Sequence, residues 1–186
     1  MKNVRYIAAA CAALLIAGTS CSKKALDTVY SSQEKNIASL VSTLSGSDST
    51  AKVEQLDGVT RITVVQGDGA ALEGKGKATV LYAGHFINSS TLSVSNLFVT
   101  NSRAYADKLK WSVSDTAAFQ PLTIDLRQDD LLEGLRKGLP GVRAGDECYL
   151  LFTGRYGFGK GRMGTVPVHS ALAYHLWVQA VDNTQS

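Results

Sequence analysis

Residues 159–164, Gly-Lys-Gly-Arg-Met-Gly, match the GxGxxG spacing that lets a backbone close around a phosphate. That chemistry needs a helix immediately afterwards, with its N-terminus facing the anion. Here Thr165-Val166-Pro167 and a strand-like segment follow, so the context argues against a nucleotide site. His85, His169 and His175 are the candidate bases and ligands. His169 and His175 are six apart on an extended stretch, about 20 Å at ~3.3 Å per residue, too far to share a metal. The three read as surface or hydrogen-bonded side chains. There is no Gly-x-Ser-x-Gly elbow to present a nucleophile. Asp129-Asp130 is placed to cap a helix rather than to act as an acid–base pair. Cys11, Cys21 and Cys148 form no CxxC and no His-Cys cluster, which argues against both a disulfide scaffold and a zinc module. No metal or cofactor is expected.

The 186 residues, 45% hydrophobic and 19% charged, suit one globular domain with an appendage. Three prolines and 17 glycines exclude a collagen-like or proline-rich fibre. A net charge of +3 is too small for nucleic-acid binding by bulk electrostatics. Lys2 and Arg5 precede an uncharged, mostly apolar run from Tyr6 to Ala17. Twelve residues are too few to cross a bilayer core of ~30 Å, and the pattern reads as an export signal over residues 1–20. Gly18-Thr19-Ser20 before Cys21 resembles a bacterial lipobox, with Gly18 where leucine is usual. Cys21 would then carry the lipid; the alternative is a plain secretory signal. Removing residues 1–20 takes two cations and no acid, leaving 3 − 2 = +1, and also takes Cys11. Cys148, among apolar neighbours, is expected to be an inert buried thiol.

The elements that would position any site follow from periodicity. Residues 21–57 are expected to form a tether, Ser22–Val29, and a short helix with Ile37, Leu40, Val41 and Leu44 on one face. Residues 58–182 form the main domain. Ile62–Val65, Ala78–Tyr82, Cys148–Thr153 and Ala171–Val181 read as strands. In the last, Leu172, Tyr174, Leu176 and Val178 share one face, with Ala173, His175 and Trp177 on the other. Asp130–Lys137 reads as a helix stopped by Gly138 and Pro140. Several strands with one helix and no βαβ alternation make an α+β domain on an antiparallel sheet. Asn88–Leu97 and Ser102–Phe119 fit no regular element and read as insertions.

Five segments then stand in a telling order: Val80-Leu81-Tyr82-Ala83-Gly84; Leu131-Leu132-Glu133-Gly134-Leu135; Gly138-Leu139-Pro140-Gly141-Val142-Arg143-Ala144-Gly145-Asp146; Tyr156-Gly157-Phe158-Gly159; and Val166-Pro167-Val168-His169-Ser170-Ala171-Leu172-Ala173-Tyr174. Together they resemble the FKBP family of peptidyl-prolyl cis-trans isomerases, from about Val59 to Val181. The leader and N-terminal helix look like those of the cell-envelope FKBPs of Gram-negative bacteria. The resemblance implies a twisted antiparallel sheet of five to six strands wrapped around one short helix.

It also implies an apolar cleft between sheet and helix. Tyr82, Phe98, Leu132, Leu135, Phe158 and Tyr174 would form its catalytic walls, and Val99, Leu122, Leu131, Val166 and His169 its further substrate contacts. The backbone N–H of Leu132 would meet a ligand carbonyl. Three positions depart from the family: Val99 stands for an aspartate, Leu135 for a tryptophan and Phe158 for a tyrosine. Two readings follow. One is a prolyl isomerase that assists exported, proline-containing polypeptides from a lipid anchor in the cell envelope, facing the periplasm and binding no nucleic acid. The other is an FKBP-like module that binds peptides or a partner with little turnover.

Overall fold

The computed structural model describes residues 3–46, 50–112 and 119–184. Its first element, α1 (Asn3–Ser45), is a single helix of 43 residues rather than a short helix behind a tether. The chain from Ser22 to Ser45 contains neither glycine nor proline, so nothing in the backbone interrupts it. The inward face of the helix also starts earlier than expected: half-buried Leu26, Tyr30 and Gln33 continue the line of buried Ile37 and Leu40 and half-buried Leu44 at helical spacing. Residues 1–20 and Cys21 fall where side chains lie outside the described residues. No helix among the described residues is long and apolar enough to cross a membrane.

Seven strands follow: β1 (Lys52–Leu56), β2 (Val59–Val65), β3 (Lys77–Phe86), β4 (Leu97–Thr100), β5 (Leu122–Asp125), β6 (Glu147–Phe152) and β7 (Leu172–Asp182). They form one antiparallel sheet in the order β1-β2-β6-β7-β3-β4. β5 pairs with the first half of β3, whose second half pairs with β4. The four expected strands are present: β2 and β3 run longer than expected, and β6 and β7 keep their expected lengths with a shift of one residue. β1, β4 and β5 were not expected, since four or five residues carry too little alternation to register; each exists because a longer neighbour supplies its hydrogen bonds. β1 lies inside the expected tether-and-helix segment. The second expected insertion holds helix α2 (Arg103–Leu109), capped by the Ser102 hydroxyl, which accepts from the Tyr105 N–H. Residues 113–118 of that insertion lie outside the described residues.

The central helix, α3 (Glu133–Gly138), starts three residues later than predicted. Leu132 takes the N-cap position with extended backbone (φ −50°, ψ 132°) and no side-chain cap. Asp129 and Asp130 are exposed upstream and cap nothing, because Leu131 and Leu132 pack on the core and hold the chain extended. Arg136 fastens the approach to the helix by donating to the carbonyls of Leu126, at 2.7 Å, and Gln128.

The sheet buries both faces. On the α3 side lie Val80, Leu150, Phe152, Leu172, Tyr174, Leu176 and Val178, the β7 alternation read from the sequence. On the other side, Ile62, Leu151 and Ala173 pack under Ile37 and Leu40 of α1. Fully burying one such leucine contributes about 1.5–3 kcal/mol, so α1 is a structural layer of the domain over Ile37–Leu44. α3 sits close because it presents glycine: a Cβ at Gly134 would stand 2.5 Å from the Phe152 ring.

Candidate functional site

The α3 face of the sheet carries an apolar cleft of about 400 Å³. Tyr82 comes from β3, Phe98 and Val99 from β4, and Leu122 and Ile124 from β5. Tyr174 and Leu176 of β7, with Leu135 of α3, complete the sheet and helix sides. The long loop from Gly154 to His169, between β6 and β7, supplies Phe158, Met163 and Gly164 at the rim. None of these lining residues is charged.

The rings form a connected set. Phe98 stands edge-on to Phe158 (centroids 5.9 Å apart, 77°) and to Tyr174 (6.1 Å, 89°). Tyr174 stacks on Phe152 beneath the cleft (6.0 Å, 13°) and lies 6.3 Å from Tyr82. Edge-on and offset contacts of this kind contribute ~0.5–1.5 kcal/mol each beyond burial, so the walls are held rather than adaptable. Burial pushes the hydroxyls of Tyr82 and Tyr174 above the usual tyrosine range. Both stay neutral and able to donate a hydrogen bond.

Backbone chemistry places Tyr82 and Phe98. β4 comes close to β3 because residue 84 is glycine: a Cβ there would meet the Phe98 ring at 2.8 Å and Val99 Cγ1 at 2.9 Å. Between the end of β4 and the start of β5, the edge of β3 has no strand partner. Asn101 fills the gap. Its Oδ1 accepts the Tyr82 N–H at 2.5 Å, and its Nδ2 donates to the carbonyls of Val80 (3.1 Å) and Gln120 (2.8 Å). The Thr100 hydroxyl donates to the Tyr82 carbonyl at 2.6 Å. No sequence signal singled out Asn101.

Of the residues expected at the site, Tyr82, Phe98, Val99, Leu122, Leu135, Phe158 and Tyr174 line the cleft, and four do not. Leu131 and Leu132 are half-buried against the core, a consequence of the late start of α3. The Leu132 N–H has no hydrogen-bond partner among the described residues. Val166 is buried in the core, because its bridge to Met163 puts the methionine at the cleft instead. His169 adopts a left-handed conformation (φ 57°) and turns to α1, where its Nδ1 lies 3.1 Å from the Tyr30 hydroxyl. Ile124, Leu176, Met163 and Gly164 were missed. Alternation from Leu122 and Tyr174 finds the first two, whereas nothing local marks the rim-loop pair.

Behind the sheet, a polar cluster fills the space under α2. His85 Nδ1 lies 2.8 Å from Asn96 Oδ1, and its Nε2 lies 3.0 Å from the Tyr105 hydroxyl. Nδ1 donates to the amide oxygen; burial lowers His85 below the usual histidine range, so the neutral ring carries its proton on Nδ1 and its Nε2 accepts from the Tyr105 hydroxyl. His175 Nε2 lies 2.8 Å from Glu147 Oε1, and its Nδ1 is buried with no partner among the described residues. Burial, helped by His85 and Lys108, lowers His175 to about 3. Among the described residues, no three His, Cys, Asp or Glu side chains gather to hold a metal. The GxGxxG segment is a rim turn with left-handed Gly159 and Gly164, and no helix follows it.

Residues 99–179 match the sequence model of the FKBP-type peptidyl-prolyl cis-trans isomerases. Three solved structures illustrate the likeness of fold. A peptidyl-prolyl cis-trans isomerase from Pseudomonas syringae pv. tomato is 16% identical with a TM-score of 0.58, over 84% of this chain and 96% of that one. FkpA from Escherichia coli is 18% identical with a TM-score of 0.55, over 95% and 71%. The N-terminal domain of FKBP42 from Arabidopsis thaliana is 19% identical with a TM-score of 0.52, over 74% and 96%. No curated protein sequence matches the chain. The chain thus has the FKBP fold and, over residues 99–179, the sequence pattern of the FKBP-type isomerases.

Proposed function

We propose that the protein is a peptidyl-prolyl cis-trans isomerase whose substrates are proline-containing segments of unfolded exported polypeptides. The observation that carries this reading is the uncharged cleft walled by Tyr82, Phe98, Phe158 and Tyr174 on an FKBP fold. Rotation about an X–Pro bond meets a barrier of ~18–20 kcal/mol set by amide resonance, and uncatalysed it takes tens to hundreds of seconds. Neither nucleophile nor metal is required. In the twisted transition state the amide has lost resonance and carbonyl polarity. A dry, apolar cleft therefore favours it over the planar ground state. The neutral hydroxyls of Tyr82 and Tyr174 can donate to a substrate carbonyl, and the open Leu132 N–H is a further donor beside α3.

The export-signal pattern and Cys21 support a second part of the proposal: a lipid-anchored protein of the cell envelope, facing the periplasm. Cys21→Ala is expected to move the protein from the membrane to the soluble fraction; a variant as membrane-bound as the wild type would exclude the anchor.

A binding module with little turnover is the second reading, favoured by Val99 and Phe158, which put no polar group where the family has an aspartate and a tyrosine hydroxyl. A protease-free isomerisation assay on a proline tetrapeptide separates the two. The enzyme accelerates exchange in proportion to its concentration; a rate equal to the uncatalysed one leaves only the binding module.

A further inference from the structure

We infer that Gln33 of α1 is a positioning residue of the cleft: its carboxamide clips together the two ends of the rim loop, so the N-terminal helix sets how Phe158 closes over a bound proline segment. This rests on the isomerase reading above for its kinetic consequence, but not for its structural one.

The loop from Gly154 to His169 carries Phe158, Met163 and Gly164 of the cleft, and two of its glycines, 159 and 164, are left-handed. Such a glycine-rich loop has much freedom to lose on ordering. Its ends abut so closely that a Cβ at Gly154 would stand 2.1 Å from the His169 carbonyl oxygen. Gln33 bridges these ends. Its Nε2 donates to the His169 carbonyl at 2.6 Å, and its Oε1 accepts the Gly154 N–H at 2.9 Å. One side chain thereby supplies a donor and an acceptor, as a neighbouring strand would.

Two further contacts tie the same turn of α1 to the same loop. The Tyr30 hydroxyl meets His169 Nδ1 at 3.1 Å, and the Arg155 guanidinium lies over the Tyr30 ring at 5.2 Å. Within the loop, the His169 N–H donates to the Gly159 carbonyl at 2.6 Å, next in sequence to Phe158. Phe158 in turn stands edge-on to Phe98 across the cleft. The path from Gln33 to the rim ring therefore runs through two backbone groups and one further hydrogen bond. It also accounts for His169, which sequence reasoning gave to the substrate.

A rim wall contacts the substrate in ground and transition states alike, so loosening it weakens binding more than it slows chemistry. In the full chain, Gln33→Ala is expected to raise KM about five-fold with kcat within about two-fold of wild type. Amide exchange over residues 154–169 should quicken about ten-fold, with β6, β7 and α3 unchanged. Gln33→Glu keeps the acceptor for Gly154 but sets a carboxylate against the His169 carbonyl, and should loosen the loop as well. Lys35→Ala, one helix position that faces solvent, should change neither readout. Unaltered loop exchange in a folded Gln33→Ala or Gln33→Glu protein would overturn the inference. If the wild type does not catalyse, the isomerase reading fails, and the exchange measurement alone decides whether Gln33 holds the loop.

Discussion

Gly134 of α3 lies flat against the ring of Phe152 in β6: a Cβ at Gly134 would fall within 2.5–2.6 Å of three ring atoms. Phe152 stacks in turn under Tyr174, so the height of the helix over the sheet determines the floor of the cleft. In an exposed helix, Gly→Ala would gain about 1 kcal/mol from propensity. Here the ring must move, and overpacking a core costs ~1–3 kcal/mol. Gly134→Ala is expected to lose about 1–2 kcal/mol net in denaturant unfolding. Gly138→Ala, opposed by the Leu150 methyls at 2.8–2.9 Å and Val59 Cγ1 at 3.1 Å, should lose less, because aliphatic side-chain tips can give way more readily than a ring.

Phe158 keeps a ring at the cleft rim without a hydroxyl. One hydrogen bond to a substrate is worth ~0.5–1.5 kcal/mol net, and ~1.4 kcal/mol in the barrier is tenfold in rate. Phe158→Tyr should raise kcat/KM a few-fold, up to about tenfold, if the bond persists in the transition state. Leu135 is only 8% exposed and packed from several sides. Leu135→Trp should therefore cost ~1–3 kcal/mol before it improves anything. Turnover and thermal midpoint of both variants check this, and a Leu135→Trp protein as stable as the wild type would overturn the packing argument.

His175 is held neutral, its folded value lowered by burial from 6.5 to about 3. A lowered histidine binds its proton in the unfolded chain first. Its contribution is present above pH 6.5 and is lost as pH falls from there towards 3. By pH 5 the loss is on the order of 2 kcal/mol. His85, also lowered chiefly by burial, acts in the same direction. Unfolding at pH 7.5 and 5.0 should show the drop, and His175→Gln, which keeps a donor for Glu147, should remove most of it.

Cys148 is fully buried in β6, and burial pushes its thiol up to about 12. The thiolate is the reactive species, so with Cys11 and Cys21 replaced by serine the folded protein should resist iodoacetamide at pH 8 and react fully once unfolded. A raised value stabilises below the unfolded pKa of about 9 and is lost between there and about 12, so alkali should destabilise the fold. Fast labelling of native protein would place the thiol at a surface.

What was legible in the sequence is whatever repeats over enough residues to bury a face. The alternation through Leu172, Tyr174, Leu176 and Val178 names both the longest strand and half the cleft floor, because period two admits only one burial pattern. The α+β class and the aromatic walls followed from such runs and from five ordered segments resembling the FKBP family. Tertiary structure decided the rest. β4 and β5 are four residues each and exist only on the edge of β3; the gap between them is filled by Asn101, whose amide has no sequence signature. Val166 lies in the core while its bridge partner Met163 lines the cleft, an arrangement that no periodicity describes. α1 became one helix over Ser22–Val29 because nothing in the backbone forbids it and the sheet, β6 and the rim loop offer its apolar stripe a partner. His169 shows the division most plainly. Its motif marks the closing loop, but its ring is met by Tyr30 and its carbonyl by Gln33, both more than 130 positions away in the chain, and only folding brings those groups within hydrogen-bond reach.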